Sequence, residues 1–364
     1  MNKIPVLHII TRLIVGGAQE NTMLTAALLD SDRYRVDIVS GPQTGAEGSL
    51  IPEARARGIP LTIEPTLVRE VNPVKDLLAL VRLTRLIRQG RYTIVHTVHG
   101  WGHHERQHPL VRRFYILLER ATQRITDKLI VVSPRNTQKG LADGIGAPQK
   151  YITIRSGIEL DRFRKPSRPR EAVRAELGIP QDAPVVGTVT RLSPQKAPLD
   201  FIVAAAHVVA QRPDVHFVVV GDGPLRAEVE TEIAALGLTE RIHLTGIRRD
   251  VPDLMHSFDL FALTSLWEGL PRVLPQAMAA GLPIVATAVD GNAEAVTDDL
   301  NGFLTTPGDP QAMAVALLRL LDDPALASRM GEAGRTRAEE FGARKMVSDI
   351  AALYETLLAE QSLS

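Results

Sequence analysis

Leu260-Phe261-Ala262-Leu263-Thr264-Ser265-Leu266-Trp267-Glu268-Gly269-Leu270-Pro271-Arg272-Val273-Leu274-Pro275-Gln276-Ala277-Met278 reads as an apolar strand, a short turn and the start of a helix that ends near Gly281. Glu268 therefore falls at the carboxyl end of a strand, just ahead of a helix N-terminus. In open α/β sheets ligands bind at that place. The first N–H groups and the dipole of the helix there favour an anion such as a phosphate.

Outward from this stretch the same pattern recurs. Strand-like runs occupy 6–10, 36–40, 61–64, 93–99, 128–133 and 151–155 in the first half, and 185–190, 216–220, 242–245, 260–263 and 284–287 in the second. Helix-like runs separate them. Alternating βα units with wholly apolar strands predict an α/β protein with parallel, doubly wound sheets covered on both faces. The polar, proline-containing stretch 163–169 reads as a linker, which divides the chain into domains 1–166 and 167–341. The tail 342–364 carries Met346, Ile350, Leu353 and Leu357 on one helical stripe and is expected to pack back on the first domain.

The bulk composition, with 45% hydrophobic and 23% charged residues over 364, is that of a water-soluble two-domain protein. No apolar run reaches the roughly 18 residues of a membrane span. Lys3 is followed by too short an apolar stretch for a signal peptide, with Pro5 inside it. Cysteine is absent, which excludes disulfides and thiolate chemistry. These features fit the cytoplasm. The net charge of zero conceals an asymmetry: residues 1–166 hold 25 Lys and Arg against 15 Asp and Glu, and the remainder 17 against 27. A basic first half predicts an anionic partner, and attraction between the halves is the plainer explanation. Arg82, Arg85 and Arg88 are spaced on one helix whose Leu77, Leu78, Val81 and Leu86 are expected to pack inward. Arg112, Arg113, Arg120 and Arg124 add a second cationic stretch. The expected partner is an anionic membrane, held peripherally at the inner face of the cell membrane; nothing points to nucleic acid.

Several loops carry chemistry. Gly16 and Gly17 end the first strand, where glycines let backbone approach a ligand. Arg191 and Lys196 follow the first strand of the second half. Two cations so placed clamp a diphosphate and stabilise charge on a leaving group, although surface cations are usually only solvated. Gly221-Asp222-Gly223-Pro224 is a tight turn, and Gly246-Ile247 ends the next strand. His99 ends a strand, usually a structural position. The neighbouring His96, His103, His104 and His108 have irregular spacing and no cysteine, so they read as a solvated loop and not a metal site.

Taken in order, these segments resemble the retaining, nucleotide-sugar-dependent glycosyltransferases of GT-B fold (group 1, family-4-like). The similarity spans nearly the whole chain and is strongest over 185–341. The family shows two facing Rossmann-like domains, the first for acceptor and the second for donor. The resemblance implies that Gly16 and Gly17 face the donor diphosphate, and that Arg191 and Lys196 bind its phosphates. It places Gly221 at the nucleotide and Gly246 and Ile247 at the base. Glu268, with Gly269 and Leu270, meets the donor sugar and phosphates. Gln276 stands where the family has a second glutamate holding the ribose hydroxyls; an amide keeps the hydrogen bonds but loses the charge. His99 matches the family's histidine that contacts the donor sugar. Ala197 replaces the glycine usual after the lysine, Ser156 the asparagine and Glu159 the aspartate of the segment before the linker. Gly291, Glu294 and Asn301-Gly302-Phe303 follow the closing pattern.

The implied reaction moves a sugar from a nucleotide-diphosphate sugar to an acceptor hydroxyl, on a glycan, a lipid-linked sugar or a small molecule, with retention and without cofactor or metal. A sugar-nucleotide epimerase and a non-catalytic sugar-nucleotide-binding protein are the alternatives. One departure is topological. Relatives place a βα unit between a strand like Ile94-Val95-His96-Thr97 and one like Val98-His99-Gly100; here the two abut. About 25–30 residues are missing, and two neighbouring parallel strands cannot form from one continuous run. The first domain is expected to lack a strand or to be rearranged, with apolar surface uncovered for a partner or for aggregation.

Overall fold

The computed structural model describes residues 3–362 except 15, 44–47, 69–71, 91, 104–106 and 290. It divides into two compact units: 1–157 with 343–364, and 158–342. In the first unit the strands are β1 Ile4–Ile10, β2 Tyr34–Ser40, β3 Leu61–Ile63, β4 Val95–Val98, β5 Lys128–Val131 and β6 Tyr151–Thr153. Its helices are α1 Gly17–Leu28, α2 Ile51–Ala56, α3 Pro73–Gly90, α4 Pro109–Thr122 and α5 Pro134–Ala142. In the second unit α6 Leu160–Arg164 and α7 Arg170–Glu176 lead into β7 Val185–Val189, α8 Pro198–Val209, β8 His216–Val220, α9 Arg226–Ala235 and β9 Ile242–Gly246. There follow α10 Val251–Ser257, β10 Leu260–Leu263, α11 Val273–Ala280, β11 Ile284–Thr287, α12 Asn292–Ala295, β12 Gly302–Thr305, α13 Pro310–Asp322 and α14 Pro324–Ala338. The tail helix α15, Ala343–Ser362, belongs to the first unit.

The second unit is one six-stranded sheet in the order β12-β11-β10-β7-β8-β9, and every pairing is parallel. Its strands are buried on both faces because successive side chains point to opposite sides. Phe217, Val219, Leu260, Ala262 and Val285 enter one core cluster, and Val218, Val220, Phe261, Leu263, Ile284 and Ala286 the other. Buried Arg174 locks the amino ends of the central strands. It donates to the carbonyls of Ser257 (3.0 Å) and Ala183 (2.8 Å) and to Asp259 (2.8 Å), whose carboxylate also accepts from the Val185 amide (2.8 Å). The strand order reverses beside β7, the first strand of this sheet. The crevice at the carboxyl ends of β7 and β10 is thus the topological switch point, the ligand position of this fold class. Sequence reading missed β12, a short edge strand that opens on Gly302. The stretch 163–169 is folded into this unit: Phe163 lies in its core, and the Ser167 hydroxyl donates to Asp253 at 2.7 Å.

The first unit repeats the order but is broken in the middle. β1-β2-β3 and β4-β5-β6 are two separate three-stranded parallel sheets. The run 93–99 supplies one four-residue strand, which pairs with β5 and not with β1. Leu24 of α1, Ile130 of β5, Ile154 just after β6, and Met346, Ile350, Leu353 and Leu357 of α15 share one core that joins the half-sheets. At its edge Arg33 and the Tyr34 hydroxyl grip Glu355 of α15, the latter at 2.7 Å. Those hydrogen bonds, Arg33 first, hold the Glu355 carboxyl down at about 2.

Two expectations about side chains fail here. Leu77, Leu78, Val81 and Leu86 of α3 do not pack inward but are exposed, and α4 buries none of its residues. A helix buries its apolar stripe only where a sheet face is there to receive it, and this sheet is split. Nor is His103 solvated. It is fully buried, with Nε2 2.9 Å from Asp143, and burial pushes its pKa down. His104 lies outside the described residues.

Candidate active site

Two loops meet at the switch point of the second unit. After β7 the chain runs through exposed Arg191, buried Leu192 and a single 3-10 turn, Pro194–Lys196, before α8. Ala197 closes that turn in the left-handed conformation (φ 42°, ψ 56°), which costs a residue with a Cβ about 1–2 kcal/mol. After β10 the chain passes through Thr264 to Leu270 to reach α11. The loops are tied together by four sets of contacts. The Thr264 hydroxyl donates to the Lys196 carbonyl (3.0 Å), the Leu266 amide to the Gln195 carbonyl (2.8 Å) and the Gln195 amide group to the Trp267 carbonyl (2.9 Å). The fourth tie is direct: the Lys196 ammonium touches the Glu268 carboxylate. Glu268 is buried, an unusual state for a carboxylate unless paired, and Lys196 supplies the pairing charge.

Around this pair the backbone closes in. A Cβ at Gly291 would lie 1.9 Å from the Gly269 carbonyl oxygen, so the segment after β11 can touch the Glu268 loop only through a glycine. Gly221 (φ +135°) is held 1.9 Å, on the same measure, from the Thr190 carbonyl oxygen, and its amide donates to Gly246 at 2.9 Å. The loops after β8 and β9 thereby join the one after β7. Ile247 projects into solvent. Gln276 is half-buried on the first turn of α11, which has no acidic residue and no side-chain cap on its amides. The second unit thus gathers Arg191, Lys196, Gly221, Gly246, Ile247, Glu268, Gly269 and Leu270 on strand ends and loops at the carboxyl edge of one sheet, with Gln276 on the helix turn that follows. Gly16, Gly17 and His99 belong to the first unit. Gly16 is the extended N-cap of α1 (φ 178°), Gly17 begins that helix, and half-buried His99 directly follows β4.

Sequence reading assigned no role to a further set of polar groups. The Thr190 and Ser265 hydroxyls, the Asn292 side-chain oxygen and both Glu294 carboxylate oxygens are buried and have no hydrogen-bond partner among the described residues. All sit at or beyond the carboxyl ends of the neighbouring strands β7, β10 and β11. Buried polar atoms without partners are costly, and their clustering marks a place built for a polar ligand. Only Glu294 had a signal, its place in the closing motif. Among the described residues no group of three or more His, Asp or Glu is arranged to hold a metal ion.

Residues 169–337 match the family of glycosyl transferases group 1. The chain is 28% identical, over 97% of both chains, to the UDP-Gal:alpha-D-GlcNAc-diphosphoundecaprenol alpha-1,3-galactosyltransferase of Escherichia coli. It is 32% identical to the 2-deoxystreptamine glucosyltransferase of Streptomyces kanamyceticus, across 70% of this chain and 66% of that one. Among solved structures, Anabaena HepE in complex with UDP and glucose superposes with a TM-score of 0.81, at 24% identity, over 97% of this chain and all of that one. The Rossmann order of the six-stranded sheet, the cation–carboxylate pair at its switch point and these likenesses converge: the chain belongs to the group 1 glycosyltransferases of GT-B fold, which act on nucleotide-sugar donors.

Proposed function

We propose that this enzyme transfers a hexosyl group from a UDP-sugar, with retention of anomeric configuration, to a hydroxyl of a sugar carried on a lipid diphosphate. The observation that carries the reading is the Lys196–Glu268 pair, fixed between the two switch-point loops by Thr264. Arg191 and Lys196 hold the donor diphosphate and take up the charge it gains as the bond between the anomeric carbon and the phosphate oxygen breaks. The acceptor hydroxyl attacks the same face of that carbon, and its proton passes to the departing phosphate oxygen, so that nucleoside diphosphate and glycoside form together. Glu268, with Gly269 and Leu270, orients the donor. Gln276 meets the ribose, Gly246 and Ile247 the base, and Gly221 the nucleotide. His99 and the Gly16-Gly17 turn are assigned to the sugar and the diphosphate.

The UDP donor and the lipid-linked acceptor are supported by the E. coli relative, whose name carries both, and the UDP donor also by the HepE complex. A membrane surface fits the same acceptor. On α4, Leu110, Phe114, Leu117 and Leu118 are exposed beside Arg112, Arg113 and Arg120, the composition of a helix that lies in a lipid interface. Among the described residues no helix is long and apolar enough to cross the membrane. The test is incubation with UDP-glucose, UDP-galactose and their N-acetyl forms, with GlcNAc-diphosphoundecaprenol as acceptor, and NMR of the product. An axial donor linkage is expected to give an axial glycoside. An equatorial product overturns retention, and no transfer from any of the four overturns the UDP-sugar assignment.

A further inference from the structure

The two half-sheets of the first unit end in edges that no described strand covers: β1 pairs only with β2, and β4 only with β5. Between these edges lies a cavity of about 570 Å³. All of β1 from Ile4 to Ile10 lines it, with Val95, His96 and Thr97 of β4 opposite; Met346, Ile350 and Tyr354 of α15 form part of its wall. Well-packed interiors leave few voids larger than a water molecule. This one is the size of a ligand site and has the shape set by two strands.

We propose that this slot receives an extended segment of another protein chain, which inserts between β1 and β4 and joins the two half-sheets into one. The backbone of the edges decides the chemistry of the occupant. Half the amide and carbonyl groups of a strand point to each side, so the 11 residues of β1 and β4 present about ten to the slot. A hydrocarbon occupant buries those groups unpaired, at about 1–3 kcal/mol each. An extended backbone pairs them on both sides. The buried Nε2 of His8, a residue that lines the cavity, also has no partner among the described residues and asks for a polar occupant. Burial keeps that imidazole neutral, with its pKa down to about 4.

The occupant comes from a different chain because, among the described residues, every named strand of this one is already paired within its own sheet. The rim adds a charge preference. α3, whose Gly90 lines the slot, carries Arg85 and Arg88 beside exposed Leu77, Leu80 and Val81. A partner that follows its strand with an acidic amphipathic helix complements that surface. Strand addition of this kind draws its affinity from main-chain hydrogen bonds.

The probe is a fluorescein-labelled synthetic peptide with the sequence of residues 92–99, Tyr-Thr-Ile-Val-His-Thr-Val-His, titrated into the full chain and followed by polarisation and by hydrogen exchange. The expected result is saturable one-to-one binding with exchange slowed about tenfold or more over 4–10 and 95–98 and unchanged over 61–63 and 151–153. A peptide with proline at its third and fifth positions lacks two donors and is expected to bind about tenfold more weakly, roughly 1.4 kcal/mol. Thr22→Trp, which fills the slot from α1, is expected to weaken binding to a similar degree. Equal binding by the proline peptide, or peptide at about 1 mM that leaves exchange over 4–10 and 95–98 unchanged, overturns the proposal.

Discussion

Lys196 is held by two different groups, its backbone by Thr264 and its ammonium by Glu268, so its charge sits at a fixed point at the switch point of the six-stranded sheet. Lys196→Ala and Arg191→Ala are each expected to lower turnover about 10²-fold or more, the usual effect of losing one charge-stabilising donor. The check is nucleotide release under saturating donor, with melting curves to confirm folding; near-normal rates in both variants sink the phosphate assignment. Next to Lys196, Ala197 occupies a conformation that suits glycine. Ala197→Gly is therefore expected to raise stability by about 1 kcal/mol, read from urea unfolding; a lower midpoint shows that the methyl group packs better than its backbone strain costs. At Gln276 a carboxylate makes stronger hydrogen bonds to ribose hydroxyls than an amide. Gln276→Glu should keep or tighten UDP binding in calorimetry, and a loss beyond about tenfold gives Gln276 another role.

At the scale of elements, α15 is tied to β2 by Glu355, whose carboxyl titrates near 2 because Arg33 and Tyr34 hold its charged form. A depressed carboxylate contributes stability above its unfolded value of roughly 4.3 and loses it as the pH falls through 2. Glu355→Gln should therefore lower the melting temperature at pH 7, with a difference that shrinks towards pH 2 and vanishes below it; equal melting of the two proteins at pH 7 contradicts this. The stripe of α15 was legible in the sequence because Met346, Ile350, Leu353 and Leu357 recur at helical spacing, and all four are buried. Five of the six strands of the second unit were legible because fully apolar runs have one explanation in an α/β chain; β12, which opens on Gly302, was not. What stayed hidden depended on tertiary context. The stripe of α3 looks the same whether or not a sheet exists to receive it, and the burial of His103 depends on Asp143, 40 positions away. Likewise the run 93–99 announced a missing unit but not that its four-residue strand would side with β5. Ser265 and Asn292 were invisible for the same reason, since only the folded sheet ends reveal that their polar atoms lack partners.

Across the whole molecule, the two units share one strand order but differ in completeness and charge. The second has one unbroken sheet; the first has the split sheet and the excess of cations. Each cation near an anionic leaflet contributes about 1 kcal/mol, so vesicles rich in phosphatidylglycerol should sediment the protein at low salt and release it at high salt. Equal, negligible binding to anionic and neutral vesicles at low salt leaves a water-soluble acceptor as the better reading. The most direct test of the donor site is hydrogen exchange with and without UDP, in the unaltered chain and in Lys196→Ala. The account predicts slowed exchange over 190–198 and 264–276 in the unaltered chain, and a much higher UDP concentration to reach the same protection in the variant. Protection confined to other segments, or identical titrations of the two proteins, contradicts a donor held at the switch point by Lys196.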